Sequence, residues 1–295
     1  MEKNNVETKG FYPGLSVCCA NGKYYLVSTS FHRFPGVFLF ESKDLVNWHP
    51  IGHVLIRKIT ECNKKTGDFQ SAFSPNIYYN DGCFYMVAKN DITGKNFYIC
   101  TKDIYGEWSE PIIIEQNGSE PSLLFNEEHV YFLSNGTDDD GKYGVVQCEI
   151  DITTGKKISE SKCIWEKSDG YFQENPRMYH IGDRYYLMVV EGCSEYGRKS
   201  VYTTSDSVWG PFRKESANQL LKKCDKTSYM VREIGHGELI RSESGEWYFM
   251  CLGFRQIHMW RAYHIMGREV LQIPVILHKD GRLTAETDGM IVDVI

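Results

Sequence analysis

Two glutamates stand where a chain places groups that move protons. Glu120 leads Glu120-Pro121-Ser122, and Glu174 leads Glu174-Asn175-Pro176. Each is followed by an apolar, β-rich run, Ser122 to Phe125 and Met178 to Ile181. Proline has no N–H and suits the start of a strand better than its middle. Glu174 is therefore expected on a loop feeding a strand, where functional groups concentrate, and Glu120 at the opening of its own strand. A lone loop carboxylate is solvated and inert. Two at one cavity differ, because each disfavours ionisation of the other. A carboxyl kept protonated in this way is a general acid for a leaving oxygen, and cleavage of a glycosidic bond needs such an acid.

The elements that must position these groups repeat along the chain. Leu15 to Val17 turns at Asn21-Gly22 and returns as Tyr24 to Val27; Ser74 to Tyr79 turns at Asp81-Gly82 and returns as Phe84 to Val87. Glu120 to Phe125 turns at Asn126-Glu127-Glu128 and returns as Val130 to Leu133. The Glu174 unit turns at Gly182-Asp183 and returns as Arg184 to Val190; Gly237 to Ile240 turns at Ser244-Gly245 and returns as Trp247 to Met250. Alternating apolar runs around Asn-Gly or Asp-Gly are hairpin signals. A period of roughly 45 to 60 residues is that of β-propellers.

A second signature closes several units, as Ser42-Lys43-Asp44-Leu45-Val46-Asn47-Trp48, Thr101 to Trp108 and Ser205 to Pro211. Its tryptophans, Trp48, Trp108 and Trp209, are expected to pack between blades. Ser216 to Lys223 reads as a helical turn or two and is the exception. The expectation is an all-β, five-bladed β-propeller, one domain over residues 1–295 with no β-sandwich after it.

Composition agrees. Hydrophobic residues make up 42% of 295 and charged residues 24%, which describes a globular protein with ample core. Tyr (19) and Phe (15) dominate the aromatic share, which suits sheets and stacking on sugar rings. A net charge of −6 without basic runs argues against nucleic-acid and anionic-membrane partners. No apolar run reaches bilayer length, and Met1 to Gly10 lacks the apolar core of a signal peptide, so a cytoplasmic location is expected. The ten cysteines show neither Cys-x-x-Cys nor zinc spacing and read as reduced core thiols. Nothing in the sequence sets an oligomeric state.

In a propeller the first strand of each blade lines the central channel, so the strand openings converge. Those openings are Pro13 to Ser16, Phe73 to Asn76, Glu120 to Ser122, Glu174 to Pro176 and Gly235-His236-Gly237-Glu238. Glu120 and Glu174 then reach one cavity from separate blades.

Gly10-Phe11-Tyr12-Pro13, Tyr24 to Phe31, Phe34 to Val37, Ser42 to Trp48 and Ile51-Gly52-His53 closely resemble family 43 glycoside hydrolases, in the branch of β-xylosidases and α-L-arabinofuranosidases. The resemblance continues through Ile150-Asp151, Thr154 to Lys156, Glu191 to Gly197, Gly235-His236, Leu252 to Arg255 and Gly267-Arg268-Glu269. It implies an inverting propeller enzyme for xylose- or arabinose-containing oligosaccharides, with a base Asp, a pKa-modulating Asp and an acid Glu. Glu174 matches the acid. Glu120 matches the modulator, one methylene longer.

The resemblance further implies Phe31, Phe73 and Arg268 as sugar contacts. His236 would be a central histidine holding a water or a cation, so no cofactor is required but a single cation such as calcium on the axis is allowed. Asp138-Asp139-Asp140-Gly141 has calcium-like letters but reads as an acidic hairpin turn.

The base position departs from the family. Where Tyr-Pro-Asp-Pro-Ser belongs, the chain reads Tyr12-Pro13-Gly14-Leu15-Ser16, so Gly14 leaves the general-base position vacant. Phe73 also stands where the family carries Trp, and His32-Arg33 where it has Glu-Tyr. Asp68, ahead of the second unit, is a candidate internal substitute. Three functions follow: a hydrolase with impaired or rerouted water activation, a sugar-binding propeller, or a transferase or phosphorylase that uses an external nucleophile.

Overall fold

The computed structural model describes residues 14–29, 36–54, 72–90, 93–167, 173–193, 196–221, 231–256, 263–285 and 292–293. They form five antiparallel sheets, each built from consecutive strands. Blade one is β1 (Leu15–Ala20), β2 (Lys23–Thr29), β3 (Val37–Ser42) and β4 (Trp48–His53); blade two is β5 (Ala72–Asn80), β6 (Cys83–Asn90), β7 (Asn96–Thr101) and β8 (Ile112–Ile113). Blade three is β9 (Ser119–Asn126), β10 (His129–Thr137), β11 (Tyr143–Glu149) and β12 (Lys162–Glu166). Blade four is β13 (Gln173–Ile181), β14 (Arg184–Cys193), β15 (Tyr196–Ser205) and β16 (Asn218–Gln219). Blade five is β17 (Val231–Arg241), β18 (Trp247–Gln256), β19 (Tyr263–Leu277) and β20 (Leu283–Ala285), with β21 (Val292–Asp293) on β19.

Turn chemistry sets the hairpins. Asn21-Gly22 and Asp81-Gly82 hold φ of 50° and 76°, and of 46° and 74°. Two successive left-handed residues make the type I′ turn that matches strand twist. These turns pin Ala20 opposite Lys23 and Asn80 opposite Cys83.

The core is a set of seams between neighbouring blades. Val27 and Val37 pack on Met86 and Phe97 between blades one and two. Val87 and Tyr98 meet Leu123 and Phe132 between two and three, and Leu133 and Trp165 meet Leu187 and Val189 between three and four. Tyr186 and Tyr202 meet Phe249 and Ile273 between four and five. Leu15, Leu26 and Trp48 meet Ile240 and Met250 and close the ring from five back to one. Each fully buried Leu, Val or Phe contributes about 1.5–3 kcal/mol, so the blades are stable only in company. Cys18, Cys148 and Cys251 are buried free thiols within this packing.

The motif at Ser42 to Trp48 earns its place locally. The Asp44 carboxylate accepts the N–H groups of Val46 and Asn47, the Asn47 side-chain amide and the Ser42 hydroxyl. Burial alone would raise its pKa, but these bonds outweigh it and bring the group down to about 2. The turn places Trp48 in the seam, 1% exposed, with Nε1 donating to the Leu45 carbonyl at 3.1 Å. Trp108 and Trp209 are partly buried and pack at the edges of their seams, as expected of them.

Two local expectations are corrected. Glu174 is not on a loop: like Glu120 it is inside its first strand, opposite Val190. The strands tolerate Pro121 and Pro176 because the register slips there, and a bulge needs no N–H from its extra residue. The helical turn falls on Lys214–Ser216 as a single 3-10 turn, because Asn218–Gln219 is taken up by pairing with β15.

Candidate active site

One backbone feature recurs at the head of every first strand. Gly14, Ser74, Glu120, Asn175 and His236 all take left-handed φ, at 64°, 49°, 55°, 53° and 52°. Each precedes the repeat position held by Leu15, Pro75, Pro121, Pro176 and Gly237. Bulges beside active sites re-aim side chains, and these turn residues of different blades towards the axis. There Glu120, Glu174 and His236 each offer a ligand atom within 4.8 Å of the others. The two carboxylates are partly exposed and the imidazole is buried.

Neighbouring strands hold this cluster in place. The Asn175 N–H donates to Glu120 Oε2, so the residue after Glu174 fixes the carboxylate of the next blade. Asn175 Nδ2 donates to the Gly237 carbonyl at 2.7 Å, tying the Glu174 strand to the His236 strand. Ser122 Oγ donates to the Pro176 carbonyl at 2.7 Å.

Two residues beyond the left-handed position lies a buried polar belt, Ser16, Asn76, Ser122, Arg177 and Glu238. Arg177 donates to Asn76 Oδ1 and, at 3.0 Å, to the Tyr78 hydroxyl, and stands 3.5 Å from Glu238. Glu238 accepts the Val17 N–H and, at 3.2 Å, the Ser16 hydroxyl. This one pair joins blades one, two, four and five. Burial works against the Arg177 charge, but Tyr78 and Glu238 outweigh it and keep the guanidinium cationic. Burial pushes the Glu238 carboxyl up, opposed by Arg177 and by the Val17 and Ser16 donors.

The belt was missed from the sequence as a functional support. Its signal is a polar residue at the same repeat position inside five otherwise apolar strands, which a buried strand carries only when the group is partnered.

The other expected residues divide. Gly14 is at the head of blade one beside the cluster, its Cβ position 3.9 Å from His236 Nε2. Phe73 lies on β5 opposite Lys89, and Arg268 on β19 opposite Phe254. Phe31 and Asp68 lie outside the described residues. The acidic turn is structural: Asp138 accepts the N–H groups of Asp140, Lys142 and Cys163, and Asp139 binds Lys157 and the Ser161 N–H.

Calcium takes six to eight oxygen ligands. The trio at the axis supplies two carboxylates and one imidazole, and one Glu120 oxygen already accepts the Asn175 N–H. These residues do not by themselves make a calcium cage.

The description "Glycosyl hydrolases family 43" matches residues 4–283. The chain belongs to that family. It is 33% identical over 290 residues to a non-reducing end α-L-arabinofuranosidase of Bacteroides ovatus, covering 96% of this chain and 53% of that protein. It is 31% identical over 288 residues to a β-xylosidase of Bacillus subtilis, covering 91% and 54%. Among solved structures, Bacteroides ovatus Xyloglucan PUL GH43B superposes with a TM-score of 0.83 at 32% identity, over 97% of this chain and 56% of that one. A xylan β-1,4-xylosidase from Bacillus halodurans gives 0.81 at 27% identity, over 97% and 57%. The family 43 chain thus spans about half the length of these four relatives.

Proposed function

We propose that this protein is a glycoside hydrolase acting on small xylose- or arabinose-containing oligosaccharides by inversion, with Glu174 as general acid and Glu120 as its modulator. The observation that carries the reading is the meeting of Glu120 and Glu174 from separate blades at the axis, beside His236. Glu174 gives its proton to the leaving oxygen while water attacks the anomeric carbon from the opposite side. Glu120, anchored by the Asn175 N–H, presents its charge to Glu174 and to the positive charge that develops on the sugar. Phe31, Phe73 and Arg268 are assigned to stack on and hydrogen-bond the sugar. The names of the Bacteroides ovatus and Bacillus subtilis relatives support the choice of pentose substrates. A cytoplasmic location belongs to the same proposal, and no metal step is part of it.

One observation favours a second reading. Gly14 offers no side chain to activate water, and loss of a general base typically removes about two to four decades of rate. A sugar-binding propeller would need no base. Hydrolysis of aryl β-D-xylopyranoside and aryl α-L-arabinofuranoside by wild type and Glu174→Gln separates the two. The hydrolase reading expects turnover that Glu174→Gln abolishes. Calorimetric binding of xylose or arabinose without turnover, unaffected by Glu174→Gln, would establish the binding reading. Turnover that appears only with added phosphate or acceptor sugar would establish an external nucleophile.

A further inference from the structure

Two adjacent residues of β10 reach the backbone that enters both glutamates. Ser134 Oγ donates to the Asn117 carbonyl at 3.0 Å, on the segment that leads into Glu120. Asn135 Nδ2 donates to the Gln173 carbonyl at 3.0 Å, and that carbonyl belongs to the peptide joining Gln173 to Glu174. Neighbouring strand residues point to opposite faces, so β10 holds one entering segment on each side.

Both grips are close. A Cβ on Gly118 would collide with Ser134 Oγ and stand 2.8 Å from the Asn135 carbonyl oxygen, so the chain entering β9 lies against these two residues. Leu133 pairs with Ser122 and Asn135 with Ser119, which leaves Ser134 facing the bulge that carries Glu120 and Pro121. On the other side blade three holds residue 173 twice, because Gln173 Nε2 donates to the Glu166 carbonyl at 3.2 Å.

Stability does not account for Asn135. It is 4% exposed, and its cross-strand neighbour Val145 belongs to an apolar seam with Leu133 and Trp165. Its Oδ1 has no hydrogen-bond partner among the described residues. A buried amide oxygen left unpaired costs at least as much as the single Nδ2 bond returns. A leucine would fill the space without that loss, but it could not hold the Gln173 carbonyl.

We infer that Asn135 is a positioning residue for Glu174. It fixes the peptide ahead of the general acid from the strand on which the Glu120 segment is packed, and so sets one carboxyl against the other. This rests on the hydrolase reading above. The same device stands one blade earlier. Asn96 on β7, 0% exposed, donates through Nδ2 to the Gln116 and Gly118 carbonyls at 3.0 and 3.4 Å, ahead of Glu120. Its Oδ1 also lacks a partner among the described residues. Each glutamate is thus approached by a buried asparagine from the preceding blade.

Leaving-group dependence separates positioning from stability. Initial rates are measured on dinitrophenyl and phenyl β-D-xylopyranosides and α-L-arabinofuranosides, in wild type and in a Gly14→Asp background that carries a base. Dinitrophenolate departs without a proton, whereas phenolate needs one from the acid. A displacement of about 1 Å costs about 10²-fold. Asn135→Leu is therefore expected to lower kcat on the phenyl glycoside by about 10- to 100-fold with KM little changed, and on the dinitrophenyl glycoside by less than about threefold. Glu174→Gln should show the same selectivity with a loss of about 10²- to 10⁴-fold. Val145→Ala, opposite Asn135, is the stability control. It should lower Tm and leave the ratio of the two rates unchanged.

Equal losses on the two glycosides would overturn the assignment. So would no loss on the phenyl glycoside while Glu174→Gln abolishes its turnover, and the hydrolase reading would then stand without it. If Glu174→Gln costs nothing, or neither background turns over either glycoside, the hydrolase reading fails and takes the inference with it. Should Asn135→Leu not fold, Asn135→Ala removes the same donor without adding bulk, and the same ratio decides.

Discussion

Consider the charge of the Arg177–Glu238 pair. Its side chains are 3% and 7% exposed and 3.5 Å apart. Among the described residues every sheet is built from consecutive strands, and none of those strands is exchanged between blades one and five. Among these residues the ring is closed by the seam around Leu15, Trp48 and Ile240 and by the bonds from Ser16 and Val17 to Glu238. Glu238→Gln keeps an acceptor oxygen for one of these donors but leaves Arg177 without its counter-charge. Breaking a buried pair costs about 3–5 kcal/mol. Arg177 keeps Asn76 and Tyr78 as acceptors, so the lower end, about 3 kcal/mol, applies. At about 2–4 °C per kcal/mol, Tm should drop by roughly 6–12 °C.

Arg177→Met alone should cost a similar amount, because it strands the Glu238 charge. The double variant should recover about 2 kcal/mol or more of the summed losses, since no charge is left unpaired. Thermal and urea unfolding followed by circular dichroism would give the cycle. Single variants within about 0.5 kcal/mol of wild type, or losses that simply add, would refute the claim that this pair closes the ring.

Asp44→Asn should destabilise by about 1 kcal/mol or less, because the turn is largely exposed. The Asp44 folded pKa, about 2, lies below its ordinary 3.8. Its contribution is therefore full above about pH 4 and lost as the pH falls towards 2, so wild type and Asp44→Asn should converge in acid melts. Phe249→Ala, at a fully buried seam position, should cost about 3–5 kcal/mol, measured by urea unfolding. Asn175→Ala removes the Nδ2 bond to Gly237. It should cost about 1 kcal/mol of stability while lowering kcat more than it raises KM, measured with an aryl glycoside.

The ring was legible in the sequence because each blade repeats its hairpin in letters with a mechanism. Asn21-Gly22 and Asp81-Gly82 demand left-handed turns, and the apolar runs on either side have no other partner than a neighbouring blade. The meeting of Glu120 and Glu174 was legible for the same reason, since strands that line one axis converge. What stayed hidden was local geometry. Nothing in Glu120-Pro121 or Asn175-Pro176 announces that the proline sits inside a strand at a bulge, because the slip exists only in the pairing with a partner strand several residues further along the chain. The Arg177–Glu238 pair also escaped, since its partners come from four blades and no local spacing relates them. The nearness of His236 to Gly14 is of the same kind.

The measurement that bears most directly on the account is the initial rate of Gly14→Asp relative to wild type on an activated aryl pentoside, with circular dichroism as the control for folding. A side chain at Gly14 meets only ordinary contacts, at 3.5 Å or more, and φ of 64° is close to that of Glu120 and Asn175 at the matching positions. The strain should be about 1 kcal/mol, with the fold retained. The account predicts a rise of at least about tenfold, within the two to four decades that a general base supplies. A folded Gly14→Asp protein that turns over no faster than wild type would contradict it.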